Sequence, residues 1–103
     1  MNEEILEWRR KIDRVDRRLT RLLKLRTEYS IEIGRVKHRD GLQVYDPERE
    51  EEVIRGVQEI ADGLLTPEAI RRVFERIIDE TRRIERQHRK TLDPTSEVGG
   101  STR

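Results

Sequence analysis

The chain has 103 residues, about the size of one domain, and 32% of them are apolar against 44% charged, so a large private core is excluded. The two signs nearly cancel, leaving a net charge of +1, with arginine and glutamate interleaved rather than blocked. That argues against a nucleic-acid protein, which would carry a one-sided basic surplus. The absence of cysteine excludes disulfides and thiolate chemistry.

The first predicted element runs from Glu3 to Lys37, a stretch without proline and with glycine only at Gly34. Ile5, Trp8, Ile12, Val15, Leu19 and Leu22 recur at alternating three- and four-residue steps, the stripe of an amphipathic helix. Continued, the alternation reaches Arg26, then Tyr29, Ile33 and Val36, so a guanidinium occupies an apolar place. A helix of about 33 residues is roughly 50 Å long. Two companions of about half that length cannot cover it from end to end. Its stripe is therefore expected to pack against a second copy, making a homodimer.

"HRDGLQ" breaks this helix, with Gly41 as the turn residue. Asp46-Pro47 reads as the next helix start: an aspartate cap, then proline at the first helical position. The second helix is expected to run to about Asp62, with Val53, Ile54, Val57, Ile60 and Ala61 inward and Gly63 closing it. Thr66-Pro67 repeats the start signal and opens a third helix with Ile70, Val73, Phe74, Ile77 and Ile78 on its inner face. That face, extended, arrives at Thr81 and Glu85. Residues 91–103, ending in "LDPTSEVGGSTR", lack periodicity and read as a disordered tail after a 1–90 domain. The predicted class is all-α, three helices with the first the longest.

Polar residues that interrupt apolar faces are the candidates for function. Arg26, Ser30, Ile33 and Lys37 share one stripe of the first helix, and two cations there are costly to bury unless anions meet them. Arg9 borders the same seam nearer the N-terminus. Arg49 and Glu50 open the second helix, while Thr81 and Glu85 lie late on the third. A solvated or i,i+4-paired surface role competes for Arg9 and Arg49, and a structural ion pair between helices competes for Arg26 and Glu85.

The sequence offers no nucleophile–base arrangement, no metal-ligand cluster and no glycine-rich phosphate loop. His38 and His88 are far apart in sequence and lack metal-ligand spacing, and His88 is expected to be solvated. A cluster of cations with a few hydrogen-bonding partners suits a small polyanion better than covalent chemistry. No apolar run approaches membrane-spanning length and "MNEEILEWRR" lacks the order of a secretory signal, so a cytoplasmic protein without membrane contact is expected.

Taken in order, "RRKIDRVDRRLTRLLKLR", "IGRVK", "VYDPERE" and "IIDETRRIE" resemble the AroQ-class, all-helical chorismate mutases over about residues 5 to 88. The resemblance implies an intertwined homodimer whose long first helices interlock, each site drawing on both chains. It implies conversion of chorismate to prephenate in phenylalanine and tyrosine biosynthesis, without cofactor or metal. By the same resemblance, Arg9 from the partner chain and Arg26 clamp substrate carboxylates, and Lys37 donates to the ether oxygen of the breaking bond. Asp46 and Glu50 hold the ring hydroxyl, Arg49 supports the carboxylate side, and Thr81 stands where serine or threonine occurs; the cap that fixes the second helix's start is then expected to aim Glu50 and Arg49 inward. Glu85 is the second ether-oxygen partner. Two other readings remain open: an isochorismate–pyruvate lyase on the same fold, and a dimeric helical interaction module without catalysis. Association with another shikimate-pathway enzyme is also left open.

Overall fold

Each helix begins where its capping chemistry dictates. In the computed structural model, which describes residues 2–92, Asn2 Oδ1 accepts the amide protons of Glu4 (2.8 Å) and Ile5 (3.2 Å), opening α1 over Glu3–Arg39. Glu3 and Glu4 lie at its positive end and Lys37, His38 and Arg39 at its negative end, both favourable to the helix dipole. The chain leaves α1 through Gly41 at φ 66°, a conformation glycine adopts without steric cost. α1 thus ends two residues beyond the expected Lys37.

Asp46 caps α2, Pro47–Gln58, by accepting from Arg49 N–H at 3.1 Å. This helix is shorter than expected. After Gln58 the amides of Ile60 and Ala61 both bond back to Val57 C=O, and turns lead through Gly63 at φ 58°. Ile60, expected inward, is exposed. Thr66 Oγ1 accepts from Ala69 N–H at 3.1 Å and opens α3, Pro67–Leu92. α3 has 26 residues against 37 in α1, so it is well over half its length. It includes residues 91 and 92 of the expected tail; the rest of that tail lies outside the described residues.

The architecture is all-α, with element order α1, α2, α3. α2 packs along α3, and α3 packs on the C-terminal part of α1; α1 and α2 do not pack on each other. Ile54 and Ile78 are the buried apolar residues, joined by Gly34 and Thr81. Glu51 and Arg71, 2.6 Å apart, tie α2 to α3 on one side, and Gln58 Nε2 donates to Pro67 C=O at 3.1 Å at one end. Val73, placed inward by its periodicity, is 49% exposed.

The first half of α1 projects beyond this core. Ile5, Trp8, Ile12, Val15, Leu19 and Leu22 are 47% to 63% exposed, so the apolar stripe has no cover from its own chain. The radius of gyration, 18.5 Å, exceeds the roughly 13 Å of a compact chain of this size. Among the described residues no helix is long and apolar enough to cross a membrane.

Candidate active site

A cavity of about 790 Å³ opens where the C-terminal half of α1, the start of α2 and the second half of α3 meet. Arg26, Lys37, Asp46, Arg49, Glu50, Thr81 and Glu85 all line it, although they come from three separate segments of sequence. The stripe that carries Arg26, Ser30, Ile33 and Lys37 forms one wall. Arg9 is absent from the lining and lies exposed on the first half of α1. Seventeen residues separate it from Arg26, about 25 Å along a helix axis, so it cannot reach this cavity within its own chain.

Burial and partners differ sharply among these groups. Arg26 is half-buried, its guanidinium carbon 5.9 Å from the centroid of the Phe74 ring, a cation–π placement that leaves its donors available. Lys37 Nζ stands 3.5 Å from Val44 C=O, a long hydrogen bond that links α1 to the loop before α2. Thr81 is buried, and its hydroxyl donates to Ile77 C=O at 2.7 Å, so toward the cavity it can offer only an acceptor.

The start of α2 does not send both of its charged residues inward. Glu50 is half-buried and paired with Arg82 at 2.9 Å, whereas the Arg49 side chain is 67% exposed and pairs with Glu52 at 3.3 Å. Consecutive helical residues point about 100° apart, so the cap that turns Glu50 toward α3 turns Arg49 toward the rim. The expectation that both are aimed inward is corrected here.

Glu85 faces Gly34 across the contact between α3 and α1. Burial pushes its carboxyl pKa above the ordinary value, and Arg89, Lys37, Arg82 and Arg26 partly oppose this by favouring the anion. A protonated carboxyl in this place is a hydrogen-bond donor, which an ionised one is not. The cavity therefore combines cations suited to carboxylates, smaller polar partners and a carboxyl whose burial favours its neutral form.

Sequence reasoning missed Tyr45, Asp79, Arg82, Arg86 and Arg89, which also line the cavity. Arg82, Glu85 and Arg89 continue the Ile78 face at three- and four-residue steps, and that register was the available signal. Arg89 Nη1 is buried without a hydrogen-bond partner among the described residues. His38 and His88 line a second cavity of about 650 Å³ on the other side of the Gly34–Glu85 contact, and His88 is half-buried rather than solvated. Among the described residues no group of three or more His, Cys, Asp or Glu is placed to hold a metal ion.

The family model described as chorismate mutase type II matches residues 8–86. The chain is similar to the bifunctional chorismate mutase/prephenate dehydratase of Aquifex aeolicus, 32% identical over 89 residues, covering 82% of this chain and 25% of that protein. It therefore spans about a quarter of the length of such bifunctional relatives. It is also similar to the chorismate mutase of Methanocaldococcus jannaschii, 25% identical over 85% of this chain and 90% of that protein. Among solved structures, form II of the chorismate mutase from Thermus thermophilus superposes with a TM-score of 0.77 at 36% identity, covering 81% of this chain and 94% of that one.

Proposed function

The chain belongs to the type II chorismate mutase family, and on that premise we propose that it converts chorismate to prephenate in the cavity between α1, α2 and α3. The observation that carries this reading is the convergence of Arg26, Lys37, Glu50, Thr81 and Glu85 on one cavity. The reaction is an intramolecular Claisen rearrangement and needs neither nucleophile nor cofactor. Two tasks are left to the protein. It must hold an extended dianion in its compact reactive conformer, which is catalysis by orientation. It must also stabilise the negative charge that grows on the ether oxygen as the carbon–oxygen bond lengthens.

Arg26 supplies planar recognition of one carboxylate, and Arg49 supports the carboxylate side from the rim. Asp46, through the backbone at the α2 cap, and Glu50 take the ring hydroxyl, while Thr81 offers an acceptor nearby. Lys37 donates to the ether oxygen, and protonated Glu85 donates to it from the opposite helix. Charge growing there strengthens both bonds, so they stabilise the transition state more than the ground state.

The same proposal includes a homodimer. The bare stripe from Ile5 to Leu22 supports it, since a second copy of the same stripe is a self-complementary cover. The partner's Arg9 then completes the carboxylate clamp, which Arg9 of the same chain cannot reach. A 1–90 mutase domain acting in the cytoplasm belongs to the proposal too. Association with another enzyme of the pathway is supported by the fused relative from Aquifex aeolicus.

The test is incubation of the purified protein with chorismate and, separately, with isochorismate, with products resolved by mass and absorbance. Prephenate from chorismate alone is expected. Release of pyruvate from isochorismate would assign the lyase reaction instead, and no turnover of either would leave a helical interaction module.

A further inference from the structure

We propose that Arg82 is a positioning residue, a clamp from α3 that fixes the Glu50 carboxylate and the Tyr45 ring on the far wall of the cavity. The inference rests on the functional reading above, and it concerns a residue to which that reading gives no part. Arg82 Nη1 lies 2.9 Å from Glu50 Oε2, and Nη2 lies 2.6 Å from Asp79 Oδ1. The guanidinium carbon stands 5.5 Å from the centroid of the Tyr45 ring. One planar group thus joins the first turn of α2, its own helix and the loop between α1 and α2.

The need for such a clamp follows from the packing. α1 carries Lys37 and does not pack on α2, so α3 is the helix that registers the two walls against each other. Glu51–Arg71 and Gln58–Pro67 tie α2 to α3 away from the cavity. At the cavity end the cap residue Asp46 and Arg49 are exposed; the start of the loop is held to α1 by Leu42 N–H donating to Lys37 C=O at 2.7 Å, and further along it Lys37 Nζ reaches Val44 C=O at 3.5 Å. Arg82 is the charged tie across that end, and both partners of the Arg82–Glu50 ion pair are half-buried, where their attraction is less screened than at the surface.

The geometry also separates positioning from direct binding. Asp79 and Glu50 engage both terminal nitrogens of Arg82, and Tyr45 covers its face. Glu50 Oε1 has no ion-pair or hydrogen-bond partner among the described residues. Arg82 therefore holds one oxygen of Glu50 and leaves the other free to accept from a hydroxyl donor. Lysine has the charge but not the fork, so it can hold Glu50 or Asp79 and not both in this plane.

The experiment compares wild type, Arg82→Met, Arg82→Lys, Glu50→Gln and the Arg82→Met/Glu50→Gln double variant. It reads kcat and KM for chorismate and amide hydrogen exchange over residues 41–50. Arg82→Met is expected to raise KM about tenfold, through loss of the half-buried ion pair that fixes Glu50, with kcat within about threefold. Exchange over 41–50 should quicken while that of Ile77–Thr81 stays as in wild type, and Arg82→Lys should recover part of both effects. In the Glu50→Gln background, Arg82→Met should lose most of its effect on KM. Full additivity would overturn the proposal by showing that Arg82 meets substrate itself. Unchanged KM and unchanged exchange would overturn it too. Should wild type fail to turn over chorismate, the functional reading falls, and exchange over 41–50 still decides whether the clamp exists.

Discussion

A Cβ built on Gly34 would lie 3.6 Å from Glu85 Oε2, ordinary van der Waals contact. The helix backbone of α1 thus borders the carboxyl directly, and one methyl group fits between them. Glycine in a helix interior costs roughly 0.5–1 kcal/mol relative to alanine. Gly34→Ala is expected to raise stability by about that amount in denaturant titration. The added methyl also displaces water from Glu85, so the carboxyl pKa should rise further, read as an alkaline shift of the descending limb of kcat/KM.

Activity should be highest at acidic pH and fall as pH rises through the pKa of Glu85, because only the protonated acid donates to the ether oxygen. The ionised form would repel the charge growing there. Glu85→Gln supplies a donor that does not titrate, so it should flatten the profile and help most at alkaline pH. The comparison is kcat/KM for both proteins from about pH 5 to about pH 9. Curves of one shape would remove Glu85 from the ether-oxygen position.

The same shift has a sign in stability. Glu85 binds its proton more tightly folded than unfolded, since burial raises the folded pKa. Its contribution is therefore most favourable below the unfolded-state pKa, and is lost as pH rises from there through the folded pKa. Glu85→Gln should remove that component of the pH dependence of unfolding, measured in urea across the same range.

Arg26→Ala and Lys37→Ala should each lower kcat/KM by roughly two or more orders of magnitude, as for other preorganised donors to developing or fixed negative charge. Arg9→Ala should also be severe. Mixing Arg9→Ala with Arg26→Ala chains should restore part of the activity, since a heterodimer then contains one intact shared site. No recovery after verified subunit exchange would place Arg9 outside the partner's cavity.

Ile12→Glu or Leu19→Glu, on the bare half of α1, should abolish dimerisation and activity together while leaving the α2–α3 contacts in place. Sedimentation at micromolar concentration reads the mass, with twice the chain mass expected for wild type. A fully active monomer would sink the shared-site account.

Much of this was legible in the sequence because helix starts carry local chemistry. Asp46-Pro47 and Thr66-Pro67 set two N-termini, and the alternation from Ile5 to Leu22 set the long helix and its open face. The polar interruptions Arg26 and Glu85 were visible as breaks in register, and the cavity unites them. The end of α2 was hidden because Ile60 and Ala61 fit a helical pattern while their amides close turns on Val57. The length of α3 was hidden by its charged second half, where few apolar residues mark a face. Arg82 was half legible: its register with Ile78 and Glu85 places it on the inner face. Among so many arginines, though, nothing local distinguishes a side chain paired across helices with Glu50 from one paired along its own helix.

The central claim is that one cation-lined cavity, completed by a second chain, performs the rearrangement. Calorimetric titration with a bicyclic dicarboxylate analogue of the transition state tests it most directly, using wild type and Lys37→Ala side by side. The account expects one analogue bound per chain in the wild-type dimer, with affinity lost by about a hundredfold or more in Lys37→Ala. Absence of binding to the wild type, or equal affinity in the two proteins, would contradict it.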